Sequence, residues 1–165
     1  MIPQLGWDET LRRGLCDALA EVLSLEIEPP ALPAPPASDW PSLLDYLSEH
    51  LEVSCAPIAR EDAERFTMES ALALARTLQL ESRIGVELRA GDLDDMGALL
   101  GRRPLDRAEG VARIAQLVRD RPDVNLAALV WLFSRIERRR EHLWAPLMIA
   151  QASGAFEPLV PHDDV

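Results

Sequence analysis

Lysine is absent: all 17 basic residues of this 165-residue chain are arginine. Schiff-base chemistry and the lysine of a phosphate-binding loop are therefore excluded, and a GC-rich coding bias is the simplest source of the pattern. Histidine is scarce, with three in the chain. Leu47, Arg139 and Leu159 stand three positions before His50, His142 and His162, so the Glu-x-x-His pairs of a di-iron bundle are missing. Cys16 and Cys55 have no second Cys or His at zinc-ligand spacing, which removes a structural zinc site and leaves at most one disulfide. Neither cysteine sits in a catalytic motif, which leaves a Cys–His pair brought together by the fold as the open route to a nucleophile. Glycine is limited to eight residues, with no phosphate-cradling loop and no Gly-x-Ser-x-Gly turn. No cofactor and no metal is expected.

Long apolar runs are missing as well. The longest, Leu126 to Phe133, has eight residues, against the roughly 20 that span a bilayer. The first 25 residues contain neither a basic region nor an unbroken apolar stretch, so no signal peptide is expected. The chain reads as a cytoplasmic protein without membrane partners. Aromatic residues make up only 5%, so the core has to be built from Leu, Ala, Val and Ile.

What is present is ordinary globular chemistry. Hydrophobic residues reach 48% and charged residues 27%, values that support one helical domain over residues 1–165. A folded chain of this size hides roughly 70% of the surface its unfolded form exposes. The formal net charge is −11, which repels nucleic acid and anionic membranes and suits a basic protein partner. The charge is uneven. Residues 1–59 hold ten acids and two arginines, and residues 60–165 hold eighteen acids and fifteen arginines.

Apolar residues recur at helical spacing in most segments, and no alternating strand pattern competes. Trp7-Asp8-Glu9 opens the first helix, with Asp8 as N-cap and Leu11, Leu15, Ala18, Leu19, Val22 and Leu23 facing inward. Five prolines within 28–38 predict an extended connector. Its P-x-x-P spacings at Pro30/Pro33 and Pro33/Pro36 would also suit an aromatic groove. A second helix starts behind Asp39 and Pro41, with Leu43, Leu44, Leu47 and Leu51 on one face, and residues 53–60 form a loop. A long helix runs from about Glu61 to Ala90 and is stopped by Gly91. Along it Ala71, Leu74, Ala75, Leu78, Ser82 and Gly85 form a face of mostly small residues, suited to close helix packing or to a homodimer. Asp92 caps a short helix, with Asp95 at its third position, that ends before Gly101. Asp106 and Glu109 cap the next, which turns Val111, Ile114, Ala115 and Val118 inward. The last helix begins between Asp123 and Asn125, kinks or ends near Pro146, and gives way to a frayed tail at 155–165. The expected fold is all-α: an irregular bundle of six or seven helices with a Pro-rich connector after the first.

Residues 131–144, WLFSRIERRREHLW, hold the binding chemistry. Trp131, Arg135, Arg138 and His142 fall in one column at i, i+4, i+7 and i+11, with Arg139 beside it. Arg135 above Trp131 gains about 0.5–1 kcal/mol by cation–π contact. One expectation is a central helix whose first half is wrapped and whose Arg-rich half emerges into water. The other is that these residues accept an acidic partner, the chain's own acidic front third among the candidates. Arg140 falls in the apolar stripe of Leu129, Leu132, Phe133, Ile136, Leu143 and Leu147, so it must snorkel or meet a carboxylate. Glu81 is the other polar group expected at an interior edge. Together these features point to a non-enzymatic protein–protein interaction module, such as an adaptor, assembly factor, chaperone or inhibitor. The alternative is an enzyme or small-ligand binder with an inter-helix pocket built on Glu81, Arg140 and a His. Nucleic-acid binding through RIERRRE is opposed by Glu137, Glu141 and the net charge.

Overall fold

The computed structural model describes residues 2–37, 41–120 and 125–154, with side chains described over 11–37, 41–120 and 125–148. The elements are α1 (Ile2–Val22), α2 (Leu43–Glu49), α3 (Asp62–Leu100), α4 (Arg107–Asp120) and α5 (Leu126–Gly154), with no strand among the described residues. A π turn (His50–Cys55) and a 3-10 turn (Ala56–Ile58) prolong α2 where a loop was expected. The all-α class holds, but the α-helices among the described residues number five rather than six or seven.

The difference arises in α3, whose 39 residues run straight through Gly91. A Cβ at Gly91 would stand 2.9 Å from Nε of Arg139 on α5. The glycine therefore serves a close approach by another helix and not a stop. Asp92 and Asp95 consequently lie in mid-helix instead of capping a new one. The stop comes at Gly101, whose φ of 72° is left-handed. Likewise α5 does not end at Pro146, although that residue cannot donate to the His142 carbonyl; it continues to Gly154.

Side chains close most of the helix starts. Ser42 and Asp45 form a capping box on α2, the Ser42 amide donating to Asp45 Oδ2 at 2.6 Å and the Asp45 amide to Ser42 Oγ at 3.2 Å. The cap expected at Asp39 lies outside the described residues, as do the break at Pro122-Asp123 and the tail 155–165. On α4 the Glu109 amide donates to Asp106 Oδ1 at 2.8 Å, and Glu109 Oε2 accepts from the Leu105 amide at 2.6 Å. Asn125 caps α5 through the Ala127 amide at 3.0 Å. Trp7-Asp8-Glu9 lie inside α1, which already begins at Ile2. Its end is a Schellman turn: Leu25 N donates to Ala20 O at 2.8 Å, Ser24 N to Glu21 O at 3.0 Å, and Ser24 takes φ 52°. Residues 25–37 then carry no regular structure.

α3 and α5 run antiparallel, since Asp92 meets Arg139 while Asp95 also meets Arg135. Among the described residues α1 lies on α5, α4 on α3, and α2 with its turns on α3 alone. Met96, Ile114, Leu132 and Ile136 form the core, with Leu93, Leu99, Leu100, Leu129 and Trp131 packed around it. Two expected inward faces are turned outward. On α1, Leu11, Leu15 and Val22 are 64, 61 and 81% exposed, and Ala20 is buried instead. On α4 only Ile114 of the apolar row is buried, and Val111 and Val118 remain exposed. The small-residue face of α3 is also split: Ala75 and Gly85 are buried within the chain, whereas Leu74, Leu78 and Ser82 are exposed.

Candidate partner-binding groove

Two aspartates three residues apart share a face of α3, and two arginines four residues apart share a face of α5. Antiparallel packing sets the pairs against each other. Arg139 donates to Asp92 Oδ1 at 3.0 Å and to Asp95 Oδ2 at 2.5 Å, and Arg135 Nε donates to the same Asp95 oxygen at 2.9 Å. Arg107 approaches Asp92 from α4 at 3.8 Å. Arg139 is 5% exposed and Arg135, Arg138 and Arg140 are half-buried, so the Arg-rich half of α5 is enclosed as well as the first; the expectation that it emerges into water is corrected. Burial pushes the Asp92 carboxyl above its ordinary value of 3.8, and the Arg139 guanidinium beside it offsets only part of that shift.

The other residues singled out in the sequence fall around this seam. Trp131 is half-buried beneath Arg135, whose Cζ stands 5.0 Å from the ring centre. Arg135 and Arg138 reach the carbonyl oxygens of Glu28 and Ile27 at 2.9 and 3.5 Å. These two arginines thus hold the backbone of the acidic front segment, not its carboxylates. His142 is half-buried, and its Nε2 has no hydrogen-bond partner among the described residues. Arg140 reaches the helix edge and also meets Glu137 at 3.2 Å. Glu81 pairs with Arg89. Glu81 and Arg140 line one polar pocket of 280 Å³, together with Arg89, Asp92, Arg107 and Arg139. The structure brings Trp131, Arg135 and Arg139 together through Asp95, and Glu81 with Arg140 across that pocket; His142 joins neither group.

Sequence reasoning missed a second feature, which adjoins the first. α1 and α4 do not pack on each other among the described residues. Between them lies a groove of 640 Å³ floored by Leu129, Phe133 and Ile136 of α5. Leu15 and Cys16 form one wall, and Val111, Ala115 and Val118 the other. The outward-turned apolar faces of α1 and α4 are what line it. Arg12 precedes Leu15 by nearly a turn, Arg107 precedes Val111 by one, and Arg140 follows Ile136 by one. All three arginines therefore stand at the same end, beside Glu137. From Arg107 to Val118 the groove runs about 16 Å, three helical turns. The only sequence signal was the amphipathic pattern of α1 and α4, which does not state what covers it.

The Cys16 thiol in the wall is pushed up from its ordinary 9.0, first by burial and then by Glu137, so it is a poor nucleophile. A third cavity, of 530 Å³, lies between the turns after α2 and the start of α3, bounded by Leu51, Cys55, Ile58 and Met68. No described helix is long and apolar enough to cross a membrane. No family model, no curated protein and no solved structure matches this chain.

Proposed function

We propose that this chain is a non-enzymatic protein-interaction module of a cytoplasmic kind, and that its groove between α1 and α4 receives an amphipathic helix. The observation that carries this role is the groove itself: apolar walls that stay half exposed, ending in three arginines within a chain of net charge −11. A bound helix would cover Leu15, Val111, Val118 and Phe133 along its apolar side. It would place an acidic residue against Arg12, Arg107 and Arg140 at one end. The residues first singled out on α5 act in this arrangement from beneath, since Arg135 and Arg139 fix α5 against α3 and so fix the floor.

The test is capture of partners from native extract by the whole chain and by a Val118→Glu variant, with thermal melts confirming that both fold. Partners bound by the wild type and lost from the variant support the groove. Equal recovery by both would reject it. A second role has one specific observation behind it: the polar pocket containing Glu81 and Arg140 adjoins the groove through Arg107 and Arg140. A small ligand with an apolar body and an anionic head would occupy both cavities. It would raise the melting temperature with no protein partner present.

A further inference from the structure

We infer that the occupant of the groove is α2 of a second copy of this chain. This rests on the groove-binding role proposed above and names its partner. The inner side of α2 is settled by α3, where Ser48 is buried and Leu44 half-buried. Its outer side is apolar too: Leu43 is 87% exposed, and Tyr46, Leu47 and Val53 are also open to water. A surface apolar row of that kind on a helix already packed on its other face marks an association surface. From Leu43 to Val53 the row measures about 15 Å at helical rise, close to the length of the groove.

Charge selects the same pairing. Residues 41–55 contain Asp45, Glu49 and Glu52 and no arginine. Asp45 is taken by Arg83 at 2.7 Å and Glu52 by Arg76 at 2.8 Å. Glu49, one turn beyond Tyr46, is exposed at the edge of the apolar row. At the groove, Arg107 approaches Asp92 at 3.8 Å, a carboxylate that Arg139 already holds at 3.0 Å. Arg107 is therefore suited to gain from a further carboxylate such as Glu49.

The chain's own α2 cannot fill its own groove. Asp45 is tied to Gln79 and Arg83, whereas the groove lies beside Met96, about 20–26 Å farther along the same rigid helix. Occupancy must come from another molecule. Each copy has one groove and one α2, so exchange in both directions closes a dimer.

Sedimentation velocity on the full chain over a range of concentrations tests this. A concentration-dependent dimer is expected, weakened at least tenfold by Leu47→Glu in α2 and equally by Val118→Glu in the groove wall. Both positions are exposed, and circular dichroism checks that each variant keeps its helices. A second measurement uses Cys16, which lines the groove. In a Cys55→Ser background, Tyr46→Cys should form a disulfide with Cys16 of another copy under mild oxidation, lost when Val118→Glu is added. A monomer at every concentration, or a dimer indifferent to both glutamates with no Cys16 cross-link, overturns the self-docking. If that monomer still captures another protein through Val118, only the identity of the occupant falls. If capture is also indifferent to Val118→Glu, the groove role falls with it.

Discussion

Arg139 is a guanidinium held almost out of water by two aspartates, with Gly91 leaving room for its passage. Removing one side of such a cluster strands the other. Arg139→Met should cost about 3–5 kcal/mol in thermal or urea unfolding, because buried Asp92 loses its close countercharge and Asp95 keeps only that of Arg135. Adding Asp92→Asn and Asp95→Asn should restore most of that loss. Gly91→Ala sharpens the assignment. A mid-helix alanine ordinarily gains about 1 kcal/mol over glycine, yet here its Cβ would displace the guanidinium. It should destabilise the wild type and stabilise the Arg139→Met variant. Stabilisation in both would show that Arg139 does not lie over Gly91. Arg140 differs from its neighbour: its side chain is 24% exposed and its carboxylate is on its own helix, so Arg140→Leu should be far milder than Arg139→Met.

At the scale of the element, α2 has seven residues, too few to hold helical shape without its cap and its neighbour. Asp45 supplies both. The Ser42 amide and then the Ser42 hydroxyl, followed by Gln79 and Arg83, hold its carboxyl down to about 2 against the opposing effect of burial. A depressed value means that Asp45 adds stability above its ordinary 3.8 and loses it as pH falls towards 2. Tyr46 is the one tyrosine in the chain, so its ring resonances report on α2 alone. They should shift with a midpoint near 2, and Asp45→Asn should remove that transition. A midpoint near 3.8 would show that the capping box does not form in solution. The α4 cap was legible from Asp106 and Glu109, because both partners lie within one turn. The α2 cap formed by Ser42 and Asp45 was not read from the sequence, since Asp39 and Pro41 just before it offer a competing local start signal.

Over the whole molecule, α3 joins two regions of unequal support. Its C-terminal half lies in the core with α4 and α5, through Met96, Ile114, Leu132 and Ile136. Its N-terminal half carries α2 and the turns, which touch no other element among the described residues. Opening α2 therefore breaks one interface and leaves the core intact. Hydrogen exchange of the isolated chain should show α2 amides opening at a clearly lower free energy than those around Leu132. Equal protection would mean that the chain unfolds as one unit. Docking of α2 into a second copy would add protection there, and that added protection should rise with concentration.

Local pattern by itself determined that the chain is helical, where α4 and α5 begin, that Gly101 ends a helix, and that Trp131 and Arg135 would stack. Each of these depends on residues within about a turn of one another. Tertiary structure alone decided the rest. Gly91 looked like a stop because its reason for being glycine, Arg139, lies 48 positions further along the sequence. Asp92 and Asp95 looked like caps because their arginines arrive from another helix. The periodicity of α1 and α4 fixed that each has an apolar face, but not which way that face turns. That orientation, and with it the groove, follows from how the helices roll against α5 and α3, where buried area and buried charge are weighed across the whole fold.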